Sequence, residues 1–258
     1  MKNKNLSFYS NKIVHAFLKN KIVTPIPKRY TKKLDVANNF RKICESKIKK
    51  PILGYKAGGT GLALLKKFKE KEPFYASVFK HNICKNNSLV KINKYTLGIE
   101  LEVCYLINKN FFNLNKRISK KNLNKFILRI GPCIEVVGYR QRKKGIKSFG
   151  DLSSDFGANI KFVIGKKKKY KKININNLKT IIKNKKINQS VSGNTNTVYV
   201  NPLNSLKFVL NKLRKDKVVL NTNFYVFTGS TVGVVPILAK GLYEARIEKI
   251  GRVKAFIN

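Results

Sequence analysis

The sequence predicts an α+β fold with a mixed or antiparallel sheet and helices concentrated early. It reads as a single domain over residues 1–258, with a helical lead (1–50) before a β-rich core (51–258). Three observations carry this. Residues 98–107 alternate with period two: Ile99, Leu101, Val103, Tyr105 and Ile107 share one face, and Glu100, Glu102, Cys104 and Leu106 the other. Residues 224–257 read as a strand, a turn and a hairpin. Neither a heptad pattern nor a regular βαβ alternation interrupts this picture.

The elements follow in order. An amphipathic helix is expected over 13–18 with Asn11 as cap, then an extended connector at Thr24-Pro25-Ile26-Pro27. A second helix starts from Thr31, with Leu34, Ala37, Phe40, Ile43 and Cys44 at helical spacing. A strand over 52–58 runs into the turn Gly58-Gly59-Thr60-Gly61, and 62–68 is helical. Residues 73–79 lead through a polar linker to a short strand over 89–92. After 98–107 come a loop (109–115) and a helix capped by Ser119 with Leu123, Phe126, Ile127 and Ile130 as its apolar set. A strand over 132–137 and a basic loop over 139–147 follow. Residues 166–188, dense in Lys and Asn, read as a surface strand pair or an insertion. Pro202, after Asn201, opens a helix whose stripe is Leu206, Val209, Leu210 and Leu213. The last hairpin pairs 242–248 with 252–257.

Composition narrows the function classes. At 258 residues and 43% hydrophobic content the chain can bury a full core. Lys and Arg number 56 against 12 Asp and Glu, a formal charge of +44. Such a surface attracts polyanions at low salt. However, the lysines are scattered through every segment, and Lys, Asn and Ile are abundant together, as AT-rich coding dictates. No specific nucleic-acid partner is therefore expected. Cys44, Cys84, Cys104 and Cys133 form no zinc spacing and read as reduced thiols. Lys12, Lys19 and Lys21 break any secretion-signal core, and no apolar run spans a bilayer, so a soluble, cytoplasmic protein without a membrane partner is expected.

Acids this scarce are informative. Glu100 and Glu102 point the same way from an apolar strand, and burying them together is costly without a positive partner. That partner is either a divalent cation or basic side chains. Glu135 lies in a similar apolar run, and three carboxylates facing one point suit Mg²⁺ or Mn²⁺ with positions left for substrate. The plain alternatives are a water-facing strand neutralised by lysines, and a buried salt bridge from Glu135 to Arg140 or Arg142. The glycine-rich turn at 58–61 completes no phosphate-loop pattern.

Several ordered blocks together carry a resemblance. They are Gly54-Tyr55-Lys56-Ala57-Gly58, Glu100-Leu101-Glu102, Pro132-Cys133-Ile134-Glu135-Val136-Val137, Asn201-Pro202-Leu203-Asn204, Val226-Phe227-Thr228-Gly229-Ser230 and the closing hairpin. From about Thr24 onward the chain resembles the fumarylacetoacetate hydrolase superfamily, in the branch of 2-oxopent-4-enoate hydratases and 4-oxalocrotonate decarboxylases. The resemblance implies a mixed β-roll or sandwich with flanking helices. It implies one Mg²⁺ or Mn²⁺ on Glu100, Glu102 and Glu135, catalytic roles for Lys56 and Asp155, and substrate contacts from Thr60, Thr228 and Ser230. It further implies a homo-oligomer or a mixed complex with a family partner. The expected activity is addition of water to a 2-hydroxydienoic or 2-oxo-enoic acid, giving a 4-hydroxy-2-oxo acid. The alternative on the same metal site is decarboxylation of a 2-oxo dicarboxylate. Outside that chemistry stand an inactive family subunit and a basic nucleic-acid-binding protein. The chain departs from the pattern where relatives carry an acid (Phe74), an asparagine (Phe156) and a histidine (Asn201), and Gly59-Thr60-Gly61 replaces a commoner L-T-S. The metal set is intact while the substrate shell is altered.

Overall fold

The computed structural model describes residues 2–114 and 117–258. Two helices lead, α1 (Lys2–Lys19) and α2 (Leu34–Ser46), followed by β1 (Ile52–Gly58), α3 (Leu62–Phe68), β2 (Phe74–Phe79), β3 (Ile83–Lys85) and β4 (Leu89–Val90). The central stretch holds β5 (Thr96–Ile107), α4 (Lys120–Leu123), β6 (Ile127–Gly138), α5 (Phe149–Ser154), β7 (Asn159–Ile164) and β8 (Lys168–Lys169). Then come β9 (Lys179–Asn184), β10 (Gln189–Asn194), α6 (Pro202–Lys215), β11 (Phe224–Ser230), β12 (Gly241–Ile247) and β13 (Gly251–Ile257).

The strands form two mixed sheets. The larger runs β2-β1-β11-β5-β6-β7-β3, with β8 beside β6, and the smaller runs β10-β9-β12-β13-β4. β1 with β11, β3 with β7 and β13 with β4 are parallel pairs; the remainder are antiparallel. The expected period-two face is real. Ile99, Leu101, Val103, Tyr105 and Ile107 of β5 are fully buried. They pack with Ile134 and Val136 of β6, with Tyr243, Ile247 and Val253 of the smaller sheet, and with Leu206, Val209 and Leu213 of α6. Each such fully buried aliphatic or aromatic side chain contributes roughly 1.5–3 kcal/mol relative to exposure. A second cluster seats α1 and α2 on the larger sheet through Ile13, Phe17, Phe40, Cys44, Phe79 and Phe156. With both neighbours apolar, one face of β5 and β6 is fixed inward, and everything of opposite parity must look the other way.

Where elements differ from the reading, the cause is physical. α1 begins at Lys2 because lysines and asparagines can continue a helix without adding an apolar stripe. α2 begins at Leu34, not at Thr31, whose hydroxyl instead accepts from Lys144 Nζ at 2.6 Å. Ser119 does cap a helix, reciprocally with Asn122, but α4 lasts one turn. Ile127 and Ile130 belong to β6, where pairing along almost the whole of β5 outweighs helical spacing. Of the loop at 109–115, Lys109–Asn113 is a 3₁₀ turn and Asn115 lies outside the described residues. The Lys/Asn-dense stretch is less peripheral than expected. β9 pairs with both β10 and β12, and its Ile182 is buried in the main core.

Arg140, at the end of β6, ties the loop after α5 to the sheet. Its backbone N–H donates to Asp155 Oδ2 (2.6 Å), Nη1 to Asp155 Oδ1 (3.0 Å) and Nη2 to the Asn159 carbonyl (2.8 Å). Both side chains are buried, and the guanidinium stacks on Phe17 and Tyr95. Arg140→Met should therefore destabilise the protein by about 3–5 kcal/mol, because it leaves Asp155 buried and uncompensated. Urea unfolding of the two proteins measures the difference.

Candidate active site

The residues facing away from the core converge. Lys56 lies on β1, Glu100 and Glu102 on β5, and Glu135 on β6, all of parity opposite to the buried β5 face. Glu100 and Glu135 are direct register partners. Lys56 is separated from Glu135 by β11 and β5. In a flat sheet three strand spacings of about 4.8 Å would keep those two residues some 14 Å apart. The larger sheet curls into a half-barrel with the acids on its concave side, and across it Lys56 Nζ donates to Glu135 Oε1 at 2.6 Å. Lys56 also donates to the Gly157 carbonyl at 3.1 Å. Gly229 has a left-handed φ of 102°, and its N–H meets Glu102 Oε2 at 2.9 Å. A side chain there would overlap Thr60 Oγ1, so Thr60 packs directly over this turn.

Electrostatics at the centre are unbalanced. One oxygen from each of Glu100, Glu102 and Glu135 lies within 4.8 Å of the others. With all three acids ionised, three carboxylates against one ammonium would leave two negative charges in a desolvated site, and the site resists that by holding protons. Burial pushes Glu100 up to about 7, with Glu135 adding repulsion and Lys56 opposing both. Glu102 also rises to about 7 through burial, against the pull of Lys56. Burial raises Glu135 well above the usual carboxylate range despite its Lys56 partner. For Lys56, burial favours the neutral amine, but Glu135, Glu100 and Glu102 outweigh it and hold the ammonium above its ordinary value.

A divalent cation fits these residues. Glu102 Oε1 and Glu135 Oε2 are buried without a donor from the rest of the protein, and the two side chains can bond each other only by sharing a proton, which a cation would displace. Oxygen-only donors suit a hard ion, and a charge of +2 offsets the excess on the three acids. The site opens into a cleft of about 770 Å³, which Lys56, Thr60, Glu100, Gly157, Gly229 and Ser230 help to line.

The structure separates the remaining expected site residues. Thr60 and Ser230 lie at the cleft, Ser230 with its hydroxyl donated to the Gly233 carbonyl (2.8 Å). Thr228 is buried and donates to the Val103 carbonyl (3.0 Å), which places it in the sheet. Asp155 is fully buried, is absent from the cleft wall and has both oxygens on Arg140. Glu135 pairs with Lys56, and neither Arg140 nor Arg142 is its partner. Phe74 lines the cleft, Phe156 packs on Phe17 with ring centroids 4.2 Å apart, and Asn201 caps α6 through the Leu203 N–H. Sequence reasoning missed two backbone groups, the Gly157 carbonyl and the Gly229 N–H. Their only signal is the glycine itself, Gly157 just after Asp155 and Gly229 just after Thr228, both with positive φ.

Two outcomes follow for divalent binding. Glu102→Gln, which keeps an acceptor for the Gly229 N–H, should lower Mn²⁺ affinity by at least ~100-fold, beyond the roughly 10–100-fold typical of losing an outer partner. Its circular dichroism should match that of the parent. Because protons and metal compete for oxygens that titrate near 7, Mn²⁺ affinity should fall as pH drops through about 7 and level off above it. Calorimetric titrations from pH 5.5 to 8.5 measure both.

No family model matches the sequence, and no curated protein matches it. Solved structures do. A 4-oxalocrotonate decarboxylase from Pseudomonas putida G7, complexed with magnesium and adipate, superposes with a TM-score of 0.82 at 17% identity, covering 100% of this chain and 98% of that one. A 5-carboxymethyl-2-hydroxymuconate delta-isomerase from Mycobacterium smegmatis gives 0.56 at 16% identity, over 81% and 80% of the two chains. A fumarylacetoacetate hydrolase family protein from Yersinia pestis CO92 gives 0.58 at 14% identity, over 82% and 95%. The chain thus shares the fold of the 4-oxalocrotonate decarboxylase over its whole length, and that of the other two structures over about four fifths of it.

Proposed function

We propose that this protein is a divalent-metal-dependent enzyme of the fumarylacetoacetate hydrolase superfamily that adds water to a 2-hydroxydienoic or 2-oxo-enoic acid. The observation that carries this is the convergence of Glu100, Glu102 and Glu135 around unsatisfied oxygens at the base of an accessible cleft. Mg²⁺ or Mn²⁺ held there supplies Lewis-acid polarisation for a 2-oxo carboxylate. The chain's own residues do the rest. The Lys56 ammonium, fixed by Glu135 and the Gly157 carbonyl, presents positive charge where an enolate develops and can deliver a proton along the dienol. Glu100, only half-buried, is the one of the three carboxylates that faces the cleft, so it would hold the cation on the side where substrate enters. The largely apolar walls, Phe74 and Val137 among them, exclude bulk water.

Decarboxylation of a 2-oxo dicarboxylate is the second reading, and a specific observation favours it. Phe74 and the Arg140-bound Asp155 leave Glu100 as the sole carboxylate on the cleft wall among the described residues, and losing CO₂ requires no activated water. The similarity to a decarboxylase that binds adipate points the same way.

The deciding experiment follows the ultraviolet decay of 2-hydroxypenta-2,4-dienoate with Mg²⁺ or Mn²⁺, then with chelator. The expected result is metal-dependent decay to 4-hydroxy-2-oxopentanoate, abolished in Glu102→Gln. An inert dienoate, together with CO₂ release from 2-oxohex-3-enedioate, would establish the decarboxylase instead.

A further inference from the structure

A groove of about 890 Å³ runs along α6 and shares no lining residue with the cleft among the described residues. Arg117, Lys120, Lys207, Lys212, Arg214 and Lys215 line it. Its one acid among the described residues, Glu72, is paired with Lys212. Lysines scattered along the sequence follow from composition, but their convergence on one groove from two separate segments is made by the fold. Arginine strengthens the point. The basic residues of this chain are overwhelmingly lysine, yet two of its few arginines share this groove.

Helix electrostatics account for part of the cluster. Lys212, Arg214 and Lys215 occupy the last turn of α6, where cations favour the helix dipole. That leaves Lys207, half-buried in mid-helix, and Arg117 and Lys120, which arrive from the segment that opens α4. The side chains of Arg117, Lys120, Lys207 and Lys215 enter no ion pair among the described residues. Hydrogen bonds fix both walls. Asn211 accepts from the Ile118 N–H (2.9 Å) and donates to the Ile118 carbonyl (3.1 Å), which docks the Arg117 side on α6. On the other wall Asn204 donates to the Tyr199 carbonyl (3.3 Å), and the Tyr199 N–H donates to the Thr60 carbonyl (2.8 Å). Tyr199 and Val200 both line the groove with left-handed φ, 48° and 68°, a conformation that β-branched residues rarely adopt. This wall is therefore held at a conformational cost, as pre-organised binding surfaces are.

We propose that the α6 groove is a binding site for a compact anion carrying several phosphate groups. Like charges gathered on one groove repel, and an anion placed among them turns that repulsion into attraction. The volume lies within the roughly 300–1,000 Å³ of sites that take a single small ligand. Several cations with guanidinium among them match the charge density and the oxygen geometry of linked phosphates, which a lone carboxylate does not supply. The site is separate from the carboxylate centre and does not depend on the reaction assigned there.

The test titrates inorganic tripolyphosphate calorimetrically into the full chain, without added divalent ions, at about 0.15 M salt, where exposed charges more than about 8 Å apart are screened. Arg117→Gln and Lys207→Gln alter the groove, and Arg252→Gln, exposed on β13 in the other sheet, controls for the loss of a charge alone. The expected result is saturable one-to-one binding that weakens about tenfold in each groove variant and stays within about twofold in Arg252→Gln. ATP titrated in parallel separates two sources of the same chemistry: equal affinity points to a free phosphate chain, and tighter binding to a nucleotide. Absence of saturable binding, or an equal loss in Arg252→Gln, would overturn the site and leave only diffuse attraction to a basic surface. A single-stranded DNA of about twenty nucleotides that binds more tightly than ATP, and weakens in all three variants, would overturn it in favour of a nucleic-acid surface.

Discussion

The ion pair between Lys56 and Glu135 is the constraint on which the rest of the site depends. It joins residues on β1 and β6, two strands with two others between them, across the concave side of the half-barrel. Curling brings the β5 acids onto the inner surface, while the opposite faces of β5 and β6 lie on the smaller sheet and α6. The main core therefore does more than stabilise the protein. By holding Ile99, Leu101 and Val103 inward it fixes the parity of Glu100 and Glu102, since a one-residue slip would bury them in hydrocarbon. One ammonium then meets three carboxylates, which leaves a charge deficit that a divalent ion is suited to fill.

Charge is distributed with two logics in this molecule. Outside, lysines crowd the surface, and along α6 they wall a groove with Arg117. Acids there engage in exposed pairs such as Glu244 with Lys254 and Lys185, each worth at most about 1 kcal/mol. Inside, nearly every charged group has a specific partner. Asp155 has Arg140, Glu45 has Arg41, and Lys144 reaches Asp151 at 2.6 Å. The centre at Glu102 and Glu135 is where this discipline lapses, with one oxygen of each left unmatched. Asp151 and Asp155 find cationic partners for their charge, and the contrast supports the proposed divalent-ion site.

Much of this was legible in the sequence, for identifiable reasons. β1, α3, β11 and the closing hairpin stood out because glycine, proline or clean alternation bounded them. Glu100 and Glu102 were legible because acids are rare here and these interrupt an apolar strand. The short α4 was not, since Ile127 and Ile130 suit helix or strand equally until β5 offers a partner. β9 was hidden by its lysines, which occupy the outward positions of a strand whose alternate residues are buried. Asp155 shows the limit most clearly. Gly157 and Ala158, two and three residues on, line the cleft, but the Asp155 side chain turns to Arg140, and no local pattern encodes that choice. The Gly157 carbonyl and Gly229 N–H were invisible because main-chain groups carry no sequence signature beyond the glycine that frees them.

The stretch from Asp155 to Gly157 gives the helical lead a part in events it never touches. Asp155 is fastened to Arg140, Phe156 is wedged against Phe17 of α1, and the next carbonyl grips the Lys56 ammonium. Phe156 and Gly157 both sit at positive φ, a conformation that costs free energy for phenylalanine and persists because its surroundings enforce it. The first helix thus works as a wedge. While it is seated the carbonyl stays in place; once it slips, the loop can relax and the lysine loses one of its two anchors. Loosening of the last turn of that helix, where Phe17 sits, would therefore reach a buried amine three elements away through a single loop.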